Sequence, residues 1–230
     1  MSPESGEDPR GRAALAGASA RWAFLNIPYD QGFRDLYLAY IAGVSAFGLA
    51  PKVTLEIPGG RARRDRILEL VQSCRYSLHD LSRVEIDKTS PPTLRFNMPF
   101  ELGLALGWAT WGDSSHTWFV FEAKKHRVQK SLSDLGGTDV HIHDGNRQGV
   151  FRELGNALVR EPEQPTIEQM EAIYQRIRQA LPKIMEKSGA RSPFEARVFR
   201  ELAVLARPVV DRVVAATPTW QRRRGSARLA

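Results

Sequence analysis

Short apolar runs alternate with helix-period segments along most of this chain, and that alternation restricts the fold more than any other feature. The runs are Trp22 to Ile27, Lys52 to Ile57, Tyr76 to Leu81, Thr117 to Phe121 and Asp139 to His143. Between and after them, apolar residues return every three or four positions, as in Phe33, Leu36, Tyr37, Tyr40, Ile41 and Val44. Strands separated by helices are joined by crossovers, which makes neighbouring strands parallel and puts helices on both faces of the sheet. The expected fold is therefore α/β and doubly wound, with about five parallel strands; the alternation does not determine their order, for which a flavodoxin-like arrangement is the working expectation.

The pattern changes after Glu161-Pro162-Glu163-Gln164-Pro165. Thr166 to Lys187 and Ser192 to Val214 read as two helices with no strand between them. Ser192 as cap, Pro193 in the first position and Glu195 three residues after the cap form a helix-start signal for the second. The expected organisation is a disordered leader over 1–20, an α/β domain over 21–162, a helical extension over 163–215 and a disordered basic tail over 216–230. The hairpin is expected to pack on the sheet domain or on a partner.

Composition narrows the setting. An apolar content of 42% supports a real core, and the chain carries one cysteine, Cys74. It has no apolar run long enough to span a bilayer and no apolar stretch near its start that resembles a signal peptide. A cytoplasmic protein with no membrane contact is expected. Of the net charge of +7, four units come from Arg222, Arg223, Arg224 and Arg228. The basic balance is thus partly a property of the tail, and nucleic acid is not expected to be the main partner.

In open parallel sheets, ligands bind beyond the carboxyl ends of the strands. That rule selects the loops starting at Pro28, Gly59, Asp80 and Glu122. Within them Asn97-Met98-Pro99-Phe100-Glu101-Leu102-Gly103 stands out. Asn97 reads as a helix cap, with Glu101 in the first turn behind it, a lone carboxylate among apolar neighbours. Such a carboxylate is expensive unless it is paired or used. It is also compatible with a plain partner of the helix dipole. Asp80 and Ser82 follow the third run and are candidates for substrate contact or for turn formation. Tyr29 and Asp30 follow the first run, Tyr29 either stacking on a base or covering the core. Arg61, Arg63, Arg64 and Arg66 gather where the positive end of a helix repels them. A phosphate nearby, or pairing with Glu56, Asp65 and Glu69, would offset that. Arg61 and Arg64 are the nominated phosphate ligands. His141 and His143 alternate along one run but lack the further ligands of a metal site, and none is expected.

The segment Asn97 to Ala105, in the form Asn-x-x-x-Glu-Leu-Gly-x-Ala after a run that ends Asp80-Leu81-Ser82, resembles the bacterial TIR-like domains. It is also similar to the nucleoside 2-deoxyribosyltransferases. The likeness extends over roughly 22–158 and is sharpest from Ser77 to Gly107. It implies a nucleotide N-glycosidase, with NAD as substrate rather than cofactor and Glu101 attacking or stabilising the anomeric carbon. Asp80 is the second candidate catalytic residue, and Tyr29, Asp30, Ser82, Asn97, Arg61 and Arg64 are the candidate substrate contacts. Deoxyribosyltransferases often carry an aspartate where Asn97 stands, so hydrolysis is expected over transfer to a second base. The likeness also implies assembly into a homo-oligomer or with a sensor protein, for which the C-terminal helices offer a surface. The alternative is a non-catalytic nucleotide-binding or protein-interaction signalling module of the same fold.

Overall fold

The computed structural model describes residues 21–56, 62–83, 86–87, 93–94, 96–112 and 115–216, with backbone alone for 86–87, 93–94 and 208–216. The expected leader over 1–20, the tail beyond Ala216, and Arg61 lie outside the described residues.

Five parallel strands make the main sheet: β1 (Trp22–Asn26), β2 (Ala50–Lys52), β3 (Tyr76–Asp80), β6 (Thr117–Glu122) and β7 (Val140–Ile142). Their spatial order is β2-β1-β3-β6-β7, the doubly wound flavodoxin-like order, with its switch point between β1 and β3. β2 lies earlier than the expected Lys52 to Ile57, because the chain turns out of the sheet into a 3-10 turn at Thr54–Glu56. Pro51, which has no N–H to give a ladder, is tolerated because β2 is the edge strand. The segment expected as a plain polar loop after Ser82 contains a small antiparallel ribbon, β4 (Ile86–Asp87) with β5 (Thr93–Leu94).

The helices cover both faces. On one face α1 (Arg34–Ala46) and α5 (Arg147–Ala157) pack on the sheet, and on the other lie α2 (Arg63–Ser73) and α3 (Asn97–Trp111). The short α4 (Arg127–Ser131) joins the α3 side through Val128, which packs with Leu81, Leu102 and Val120. The hairpin of α6 (Ile167–Ser188) and α7 (Ala196–Ala216) forms a further layer over α1. This explains why Leu36 to Ala46 is buried without a break. A helix sandwiched between a sheet and other helices is apolar all round. Met170, Ile173, Tyr174, Ile177, Val198, Phe199 and Leu202 share one core with β1, β3 and α1, so the hairpin packs on the sheet domain. Among the described residues no helix is long and apolar enough to cross a membrane.

Local chemistry places the helix ends. Thr166 and Gln169 form a reciprocal capping box at the start of α6, and Gly189 closes that helix in the left-handed region at φ 65°. Ahead of α7 the Glu195 carboxylate accepts from the Ser192 N–H at 3.0 Å and the Ser192 hydroxyl accepts from the Phe194 N–H at 3.2 Å. The expected start signal is thus in place, although regular helix begins only at Ala196. After β7, Asp144 and Gly145 both take positive φ, a tight turn that returns the chain into α5. Gly149 in that helix lies so close to the His143 carbonyl that a Cβ would sit 2.0 Å from its oxygen, so only glycine fits there.

Candidate active site

Strand alternation decides which polar groups meet. Along β1, Ala23 and Leu25 face α1, whereas Phe24 packs with α2 and α3. Along β3, Tyr76 and Leu78 face α1. Asp80 continues that series, and Ser77 and His79 take the opposite face. The two expected catalytic carboxylates are separated accordingly. Glu101 belongs to the α3 layer, and Asp80 binds side chains of the α1 layer.

Asp80 is fully buried and its oxygens are committed. Oδ2 accepts from the Tyr40 hydroxyl at 2.8 Å and Oδ1 from the Ser82 N–H at 2.9 Å. His143 Nδ1 accepts from the Gly145 N–H at 3.1 Å, which leaves the proton on Nε2. That N–H lies 3.1 Å from Asp80 Oδ2 and 3.0 Å from Ser82 Oγ. Asp80 and Ser82 therefore tie β3 to α1 and to the turn after β7. Glu122 makes a similar tie. Its carboxylate holds Arg127 through both oxygens, and Arg127 Nη2 donates to the Ser82 carbonyl at 2.8 Å.

Glu101 has a different environment. It is buried, 2% exposed, and sits in the second turn of α3, not the first. The helix is capped at Phe96 without a side-chain bond, and Asn97 is exposed in the first helical position. The expected Asn97 cap is thus not formed. Met98 shows what orders this end of the helix. The Asn26 amide at the end of β1 donates to the Met98 carbonyl at 3.4 Å and to His79 Nδ1 at 2.8 Å. Asn26 and His79 are register partners across β1 and β3, at the switch point of the sheet.

The polar chain continues inward in one direction. With Nδ1 accepting, His79 Nε2 carries the proton and donates to Ser77 Oγ at 2.9 Å. Ser77 donates to His116 Nε2 at 3.0 Å, and His116 Nδ1 donates to the Cys74 carbonyl at 2.8 Å. His79 and Ser77 each accept from one neighbour and donate to the next along this row, which fixes the Asn26 amide. Burial, with His116 close by, drives the His79 pKa down from 6.5 to about 3. The folded protein thus holds His79 neutral where the unfolded chain protonates it, so this stability is full above pH 6.5 and is lost as pH falls towards 3. Unfolding in that window should take up close to one extra proton, and His79→Gln should remove that proton from the slope of unfolding free energy against pH. An identical slope in wild type and variant would contradict the assignment.

Two groups lie near Glu101, Arg63 and Tyr29. Arg63, the first residue of α2, places Nη2 3.2 Å from Oε1. The Tyr29 hydroxyl is buried near Glu101, Arg63 and Thr54 without a hydrogen bond of good geometry. Burial raises the Glu101 pKa above the usual carboxylate range, and Arg63 pulls it partly back. The ring of Tyr29 packs against Tyr37 and against Phe194 in the turn before α7, at centroid distances of 6.3 Å for each. Covering the core is thus the role of the ring. The hairpin reaches the site through Phe194.

The remaining candidates divide. Asp30 Oδ1 caps the 3-10 turn at Gln31–Phe33 and lies 3.6 Å from Arg83. Arg64 is exposed and bonds its neighbour Asp65 at 2.8 Å, the pairing expected in the absence of a phosphate. His141 stacks on Phe121 and bonds Glu153, and among the described residues no cluster of His, Cys, Asp or Glu could hold a metal. Asn26, His79 and Thr54 were missed in the sequence, although Asn26 and His79 are polar residues inside apolar runs, which is itself a signal. Comparison with family models, curated proteins and solved structures finds no match to this chain.

Proposed function

We propose that the chain is a nucleotide N-glycosidase working through Glu101, with the nicotinamide–ribose bond of NAD as its substrate bond. The observation that supports this reading best is the setting of Glu101. It is a buried carboxylate with a raised pKa beside the switch point of a parallel sheet, and its ion-pair partner Arg63 is solvent-exposed. Structural carboxylates of this protein, Asp80 and Glu122, are enclosed by several donors. Glu101 is left available, and sites with such perturbed groups are candidates for chemistry.

The reaction uses one carboxylate. The C1′–N bond breaks with its electron pair passing to the ring nitrogen, so nicotinamide leaves as a neutral base and needs no proton. Glu101 stabilises the cation that develops on ribose, or bonds to C1′. Water then supplies hydroxide to C1′ and its other proton passes to solvent, giving ADP-ribose. In this reading the Tyr29 hydroxyl, buried near Glu101 and Arg63, donates to a ribose oxygen. Incubation at low and high protein concentration with NAD, NADP, nucleosides and nucleotides, followed by chromatography of free base, tests this. Base release per mole of protein that rises with protein concentration would support an assembled enzyme. No release by folded protein at any concentration would reject the reading and favour a binding module.

A further inference from the structure

We propose that Arg63 is a phosphate-reading residue that pairs with Glu101 and transfers to the substrate's 5′-phosphate on binding, so that the site selects nucleotides over nucleosides. This rests on the N-glycosidase reading above. The asymmetry of the ion pair carries it. The Glu101 side chain is 3% exposed and anchored within α3, whereas the Arg63 side chain is 56% exposed. The carboxylate cannot leave the pair, but the guanidinium can.

Three further observations agree. Only one Arg63 nitrogen, Nη2, bonds Glu101, at 3.2 Å, so the two-pronged geometry that makes arginine–carboxylate pairs strong is not used. Arg63 opens an eleven-residue helix, where the dipole opposes a cation and favours an anion beside it. Arg64 next to it is bound to Asp65 and points its charge elsewhere. A phosphate offers Arg63 two oxygens and more charge than one carboxylate oxygen does. Moving to it exposes Glu101 to C1′ of the same substrate. Arg63 is in this sense a specificity residue, and it does not touch the bond that breaks.

The test compares wild type, Arg63→Gln and Arg63→Lys on nicotinamide mononucleotide and nicotinamide riboside, which differ by the 5′-phosphate alone. The expected result is a fall of about 10–100-fold in the mononucleotide-to-riboside ratio of kcat/KM for Arg63→Gln, as for loss of a charge-assisted pair. Arg63→Lys should recover part of that ratio. A ratio that Arg63→Gln leaves unmoved would overturn the proposal even where the enzyme is active. Calorimetric binding of ribose 5-phosphate and of ribose gives a readout without turnover. Wild type should prefer ribose 5-phosphate and Arg63→Gln should lose that preference, and a wild type that binds neither, or both equally, would also overturn it. Failure of the glycosidase reading appears separately, as absence of base release from every substrate.

Discussion

Glu101→Gln is expected to abolish base release, by about a thousandfold or more in kcat, while the protein stays folded and becomes no less stable. The two halves of this result have one cause. Because burial holds the Glu101 pKa above its unfolded value, the ionised carboxylate disfavours folding at neutral pH, a penalty that disappears only on acidification. Glutamine keeps the shape and removes the charge. The partner left behind, Arg63, is exposed and readily solvated, so its loss costs little. Thermal melts beside nicotinamide release would check both halves. A purely structural carboxylate predicts the reverse, a fall in melting temperature with turnover intact. The same pKa fixes the sign of the pH profile. The carboxylate works ionised, so kcat/KM should fall as pH falls, with a midpoint above the ordinary glutamate value. An acid limb at or below that value would remove Glu101 from the rate-limiting chemistry.

The fold was legible in the sequence because its signals are local and repeated. Each strand run is apolar and each following helix carries its own period, and Thr166 and Ser192 announce the last two helices. Strand order was not legible, because doubly wound sheets occur in more than one order and no residue chooses between them. The site was legible in part. Glu101 could be found because a carboxylate among Met98, Phe100, Leu102 and Leu104 contradicts its surroundings. Its partners could not. Arg63 reaches Glu101 across 38 residues of chain, and Asn26 reaches Met98 across 72. No short window contains such pairs. The partners of Asp80 were not legible for a related reason. Its place at the end of β3 was right, but the side of the sheet it serves depends on Tyr40 and His143, which approach from α1 and from the turn after β7.

That placement gives the second large effect. Asp80→Ala should destabilise the protein by about 3–5 kcal/mol, because it strands two buried donors, the Tyr40 hydroxyl and the Ser82 N–H, and leaves the His143 Nε2–H with Ser82 Oγ alone. In a chain of this size such a loss lowers the melting temperature by roughly 10 °C. Asp80→Asn should fall between alanine and wild type, since its amide oxygen can still accept from one neighbour while its NH2 confronts donors. Turnover separates structure from chemistry. Asp80 binds α1-layer side chains and Glu101 sits on the other side of the sheet, so well below the melting transition either variant should keep kcat within a few-fold of wild type. A large fall in kcat with the melting temperature preserved would instead make Asp80 a proton donor at the site. On the proposed N-glycosidase reading that would also widen the leaving groups open to the site, because a purine needs the proton that nicotinamide does not.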